Sequence, residues 1–127
     1  MRFTHDHHHF RCQDHQAAAQ WYLDMFDGED LGQVEAMGMP IRRVKVAGQT
    51  WSFSPKRDDV TMQGDGLAPH YGYYQIGLGV EDLDQAVKRL SAKGGVFRGG
   101  IHQLSDTLRV AFMEAPDGME IELLERK

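Results

Sequence analysis

The residues best equipped for chemistry begin near the N-terminus. His5, His7 and His9 recur at every second position, and Arg11 follows at the same spacing. With the two-residue period of a strand they share one face, while Asp6, His8, Phe10 and Cys12 take the other. Imidazoles are costly to bury without a partner or a task. Two further donors, Gln75 and Glu122, lie far along the chain, each in a stretch of alternating polar and apolar residues. One nitrogen and two oxygens suit a divalent first-row metal (Fe, Mn, Ni, Co or Zn) with open positions left for substrate or water. His9 stands about 6.6 Å along the strand from His7. Neutral imidazole near pH 7 makes it the candidate general base, or a partner behind the ligands.

Taken singly, each of these residues has a plainer reading. Glu122 alternates with Ile121 and could be a surface carboxylate on an edge strand. Gln75 could be a polar group on a wet sheet face, and His9 a solvated histidine at a cavity mouth. A His-rich start is often an expression tag, but this run is interrupted by Asp6 and passes without a linker into a strand-to-helix pattern.

The elements that must position these side chains read as follows. Residues 3–12 predict a strand, and Asp14 sits where a helix N-cap belongs. The helix runs from 14 to about 26, with Ala18, Trp21, Tyr22 and Met25 at helical spacing, and Asp27-Gly28 ends it. Strands are expected at Val34–Met37, Ile41–Ala47 and Thr50–Ser54. Residues 56–72, rich in glycine and charge, read as a linker loop. A strand at Tyr73–Val80 leads into a helix capped by Asp82 and stopped by Gly94-Gly95. Strands at Val96–Ile101, Leu108–Glu114 and Met119–Leu124 complete the chain, the last two joined by a turn at Pro116-Asp117-Gly118.

The two halves repeat. His7 and Asp14 match Gln75 and Asp82 at an offset of 68, and Gly48 matches Gly118 at an offset of 70. Each half reads strand, helix, three strands. The fold class is therefore α+β: two tandem βαβββ modules, at 1–55 and 73–127, cupping a mixed sheet around a central cavity as one compact domain. Phe10, Cys12, Trp51, Phe53, Ile76, Leu78, Val80, Ile121 and Leu123 should face the helices. His7, His9, Ser52, Gln75, Glu120 and Glu122 should line the other side. Across the repeat His7 pairs with Gln75, and Ser52 with Glu122. Ser52 is a poor metal ligand, better suited to hydrogen-bonding substrate or a bound water. Tyr73 is placed to cap a substrate. Arg109 could hold an anionic one, or be an ordinary exposed strand arginine. His102 reads as a solvated turn residue.

Composition sets the bounds. In 127 residues the formal net charge is -5, with no basic stripe, so nucleic acid is not an expected partner. No apolar run approaches ~20 residues, so no membrane span is expected. The start lacks a secretion signal, and the single cysteine, Cys12, fits a reducing cytoplasm.

At these residues the chain resembles the vicinal oxygen chelate superfamily, the glyoxalase/bleomycin resistance protein/dioxygenase group, over nearly its whole length. Asp6 to Asp14 resembles the family's opening strand, in which a His seven residues before the Asp binds metal. Tyr74-Gln75-Ile76-Gly77-Leu78-Gly79-Val80-Glu81-Asp82 resembles the opening of the second module. Ala115-Pro116-Asp117-Gly118-Met119-Glu120-Ile121-Glu122-Leu123 resembles the closing motif, whose last ligand aligns with Glu122. The resemblance implies paired βαβββ modules, usually a homodimer, and an open metal site at His7, Gln75 and Glu122 that chelates two oxygens of a small substrate. Two departures stand out: Ser52 where many glyoxalases carry Glu or Gln, and Gln75 where many members carry His. Isomerase or lyase chemistry ranks just ahead of ring-cleaving extradiol-type oxygenation, because Gln is a less usual iron ligand than a second His. The rival from another class is a metal-free, bleomycin-resistance-like binding protein, for which Trp21, Trp51, Tyr71, Tyr73 and Tyr74 supply aromatics.

Overall fold

The structure of the protein is a computed structural model that describes residues 1–58 and 71–127. Most of the expected linker at 56–72 thus lies outside the described residues. Those described form two compact units, residues 1–58 and residues 71–127.

In the first unit β1 (His7–Cys12) leads into α1 (His15–Met25), followed by β2 (Glu29–Ala36), β3 (Met39–Val46) and β4 (Gln49–Pro55). The sheet order is β1-β4-β3-β2, with β1 parallel to β4 and the other pairs antiparallel. The second unit repeats the plan: β5 (Gln75–Gly79), α2 (Leu83–Ala92), β6 (Phe97–Ser105), β7 (Leu108–Glu114) and β8 (Glu120–Arg126). Its order is β5-β8-β7-β6, with β5 parallel to β8. The chain is thus two tandem βαβββ modules.

Local chemistry explains the element ends. Asp14 and Asp82 are both extended N-caps, whose carboxylates accept from the amides of Ala17 and Gln85 at 3.0 Å. The β2–β3 and β3–β4 hairpins turn on Met37-Gly38 and Ala47-Gly48, each pair with positive φ at both residues, as a tight hairpin requires.

Of the nine residues expected to face the helices, Cys12, Trp51, Phe53, Ile76, Ile121 and Leu123 are buried, and Phe10, Leu78 and Val80 are half-buried. In the first unit the core is aromatic: Tyr22 of α1 lies 5.0 Å from Trp51 and 5.3 Å from Phe53, ring centre to ring centre, and Phe10 stacks on Phe53 at 5.2 Å. In the second it is aliphatic, built on Leu83, Leu90, Met113, Ile121 and Leu123.

Three expectations need correction. β2 begins at Glu29, not Val34: its residues are all exposed, so no apolar alternation announces it, and its order comes from pairing with β3. β6 continues past Ile101 to Ser105, so His102 is a strand residue opposite Val110, with its ring 5.6 Å from that of Phe112. β5 starts at Gln75, which leaves Tyr73 two residues ahead of the strand and half exposed. No helix among the described residues is long and apolar enough to cross a membrane.

Candidate functional site

The register of the two parallel strand pairs repeats with the sequence. His7 stands opposite Thr50 and His9 opposite Ser52 in β1–β4; Gln75 stands opposite Glu120 and Gly77 opposite Glu122 in β5–β8. Residues opposite one another share a sheet face. Each unit therefore presents two matched rows on the face away from its helix.

In the first unit this face carries His7, His9 and Arg11 from β1, Ser52 and Ser54 from β4, and Arg43, which pairs with Ser52, from β3. The His7 and His9 rings lie 6.1 Å apart, close to the spacing expected along a strand. His7 Nδ1 is 2.6 Å from Asp6 Oδ2. A carboxylate only accepts, so Nδ1 carries the hydrogen and Nε2 of a neutral ring keeps its lone pair. The same contact lowers the Asp6 pKa. His9 Nε2 shares a 2.9 Å hydrogen bond with the Ser54 hydroxyl, which is buried. Partial burial, with smaller contributions from His7 and Arg11, lowers the His9 pKa and favours the neutral imidazole. Ser52 is also buried.

In the second unit the centre of this face is Glu120, only 3% exposed. It accepts from Arg98 of β6 through Oε1 and from Gln75 Nε2 through Oε2, the latter at 2.7 Å. The Tyr74 hydroxyl also donates to it, and that bond together with the charge of Glu120 raises the tyrosine pKa. A buried carboxylate satisfied by a guanidinium, an amide and a phenol is stable where an unpaired one would not be. With its nitrogen turned to Glu120, Gln75 turns its oxygen Oε1 away. Glu122, two residues on, is half-buried and hydrogen-bonds no described residue.

Arg109 is on the opposite, helix-facing side. Its Nε donates to Glu125 Oε1 and its Nη2 to Glu125 Oε2, both at 3.0 Å, and Nη2 reaches Asp84 at 2.8 Å. Glu125 also accepts the Leu83 amide at the start of α2 at 2.8 Å. The group joins helix and sheet. Among the described residues no cluster of three or more His, Cys, Asp or Glu side chains could hold a metal ion; the set expected from sequence includes a Gln and draws on both units. Sequence reasoning places Glu120 on this face but gives it no partner. Arg98 is 22 residues away on another strand, and nothing in the pattern of either strand pairs them.

The sequence matches the model of the Glyoxalase/Bleomycin resistance protein/Dioxygenase superfamily over residues 4–123. The chain belongs to this superfamily. No curated protein matches it in sequence. Among solved structures it is similar to a glyoxalase family protein from Bacillus cereus, with TM-score 0.79 and 18% identity over 99% of this chain and 95% of that one. It is also similar to the fosfomycin resistance protein FosX from Listeria monocytogenes, with TM-score 0.75 and 14% identity over 100% and 94% of the two chains. A third is TnmS3, an antibiotic binding protein from a Streptomyces species, with TM-score 0.72 and 20% identity over 100% and 99%. These likenesses establish the fold.

Proposed function

We propose that this superfamily member is a metal-dependent enzyme with isomerase or lyase chemistry on a small substrate that offers two oxygens to the metal. The observation that carries the reading is which donor atoms are left unspent. His7 Nδ1 is occupied by Asp6, which leaves Nε2; the Gln75 amide nitrogen is occupied by Glu120, which leaves Oε1; and Glu122 hydrogen-bonds no described residue. Nearby polar groups on the same faces, His9, Ser54 and Glu120, are paired. This donor set, one imidazole nitrogen with an amide and a carboxylate oxygen, fits a divalent first-row cation.

His7, Gln75 and Glu122 would hold that ion, and when bound it supplies a Lewis acid that polarises substrate oxygens. The remaining roles fall to side chains. His9, neutral near pH 7, accepts a substrate proton, with the Ser54 hydroxyl fixing its ring. Ser52 hydrogen-bonds the substrate, and Tyr73 covers it. Arg109, committed to Glu125 and Asp84, serves the site by fixing α2 on its sheet. The reading includes a homodimer and a cytoplasmic setting, the latter supported by the chain's having a single cysteine, the buried Cys12.

A second reading, metal-free sequestration of a small molecule, is favoured by the exposed Tyr71, Tyr73 and Tyr74 and by the antibiotic-binding role named for TnmS3. Elemental analysis of untagged, EDTA-free protein beside a Glu122→Ala variant separates the two. Near one metal per chain, lost in the variant, supports the enzyme. Failure of wild type to take up Mn, Fe, Co, Ni or Zn on reconstitution ends that reading and leaves the binding protein.

A further inference from the structure

We propose that Glu120 is a positioning residue for Gln75: its carboxylate, anchored by Arg98, holds the Gln75 amide with nitrogen inward and Oε1 outward, and so makes Gln75 an oxygen donor. The inference rests on the metal-dependent reading above and assigns a task to a residue that is not itself a ligand.

The two ends of a glutamine side chain are nearly the same size and opposite in hydrogen-bonding character. Left alone, the amide turns over readily, and a ligand that presents NH2 half of the time is a poor one. A carboxylate cannot donate, so the 2.7 Å contact between Gln75 and Glu120 Oε2 admits one orientation only. The carboxylate must itself stay in place. Glu120 is buried, and its other oxygen is taken by Arg98 of β6.

The repeat gives an independent argument. The residue opposite His7 in the first unit is Thr50; the residue opposite Gln75 in the second is Glu120. His7 draws its orienting carboxylate from its chain neighbour, Asp6. Gln75 has Tyr74 and Ile76 as chain neighbours, neither of them an acceptor that could do this. The acidic residue therefore appears at the cross-strand position in the one unit whose proposed ligand is an amide. Outer partners of this kind typically change metal affinity by roughly 10–100-fold.

The test is a cobalt titration of the full chain, followed by the visible absorption of the bound ion, on wild type, Glu120→Gln, Gln75→Ala and the double variant. Glu120→Gln should weaken cobalt binding about 10–100-fold while the metal-free protein keeps its circular dichroism. In the Gln75→Ala background the same change should cost nothing further, because its effect passes through Gln75. Should Glu120→Gln not fold, Glu120→Asp keeps the negative charge beside Arg98 while shortening the reach to Gln75 by one methylene, and it is read by the same cycle. Wild-type affinity in the Glu120 variant, or an equal loss with and without Gln75, overturns the inference. Absence of cobalt binding by wild type overturns the metal-dependent reading itself, and this inference with it.

Discussion

Arg109 grips both oxygens of Glu125 from β7 to β8, Nε on Oε1 and Nη2 on Oε2, each at 3.0 Å. Glu125 is 2% exposed and also takes the amide of Leu83, so one carboxylate joins two strands and the first turn of α2. The Arg109 guanidinium first, and then the Leu83 amide, holds its pKa down at about 2, against an ordinary 4.5. A carboxyl group whose folded pKa lies below its unfolded one stabilises the fold fully above the unfolded value and loses that contribution as pH falls through the folded one. Thermal melts should therefore show a stability loss between about pH 4.5 and 2. Arg109→Ala should lower the neutral-pH Tm by roughly 5 °C or more, since it takes from a buried carboxylate its two-pronged partner and leaves only Lys127, 3.6 Å away, as a cation. The variant should also flatten the acid limb. Equal pH profiles for the two proteins would show that this pair does not control acid stability.

Phe53 is fully buried at the centre of the aromatic core of the first unit, between Phe10 and Tyr22. Truncation leaves a hole that stacked rings cannot easily close. Phe53→Ala should cost about 3–5 kcal/mol in urea unfolding, against no more than ~0.5 kcal/mol for a surface change such as Lys56→Ala.

The two helix caps offer a matched pair. Asp14 and Asp82 hold equivalent places in the repeat, and each accepts the amide three residues on at 3.0 Å. Replacement by Ala should cost about 1 kcal/mol at either site, and Asn should restore most of it. A loss at one site alone would mean that the two modules do not rely on their helix starts alike.

How far the sequence reaches differs from strand to strand. β4 and β8 alternate apolar and polar residues, so Trp51, Phe53, Ile121 and Leu123 can be assigned to the helix side from pattern alone, and they are buried there. β2 offers no alternation: Glu29, Asp30, Gly32, Gln33 and Glu35 are all exposed, and only its hairpin partner makes it a strand. β6 is interrupted by Gly99, with φ of 73°, and by a break in register between Arg98 and His102. That break hides the continuation to Ser105. The positions of His7, His9, Ser52, Gln75 and Glu122 on their strands follow from the period of two and the repeat. The partners of these faces do not, because the contacts of Arg98 with Glu120 and of Ser54 with His9 join residues on different strands.

His7 and His9, the two histidines on one face of β1, can be told apart. They share a face with rings 6.1 Å apart, so proximity to a bound ion would not by itself separate their roles. Their hydrogen bonds do. Asp6 fixes His7 so that Nε2 is left for a metal, whereas His9 Nε2 is engaged by the buried Ser54. If His7 is the ligand, His7→Ala should weaken cobalt binding by more than the roughly 10–100-fold that loss of an outer partner costs, and His9→Ala should leave the stoichiometry unchanged. Turnover, once a substrate is found by screening with the bound metal, should then fall about 10²–10⁴-fold in His9→Ala, the usual worth of a general base. Loss of metal from His9→Ala with retention in His7→Ala would reverse the assignment and make His9 the ligand. Loss from both would mean that the strand offers a two-histidine site, with Ser54 displaced on binding.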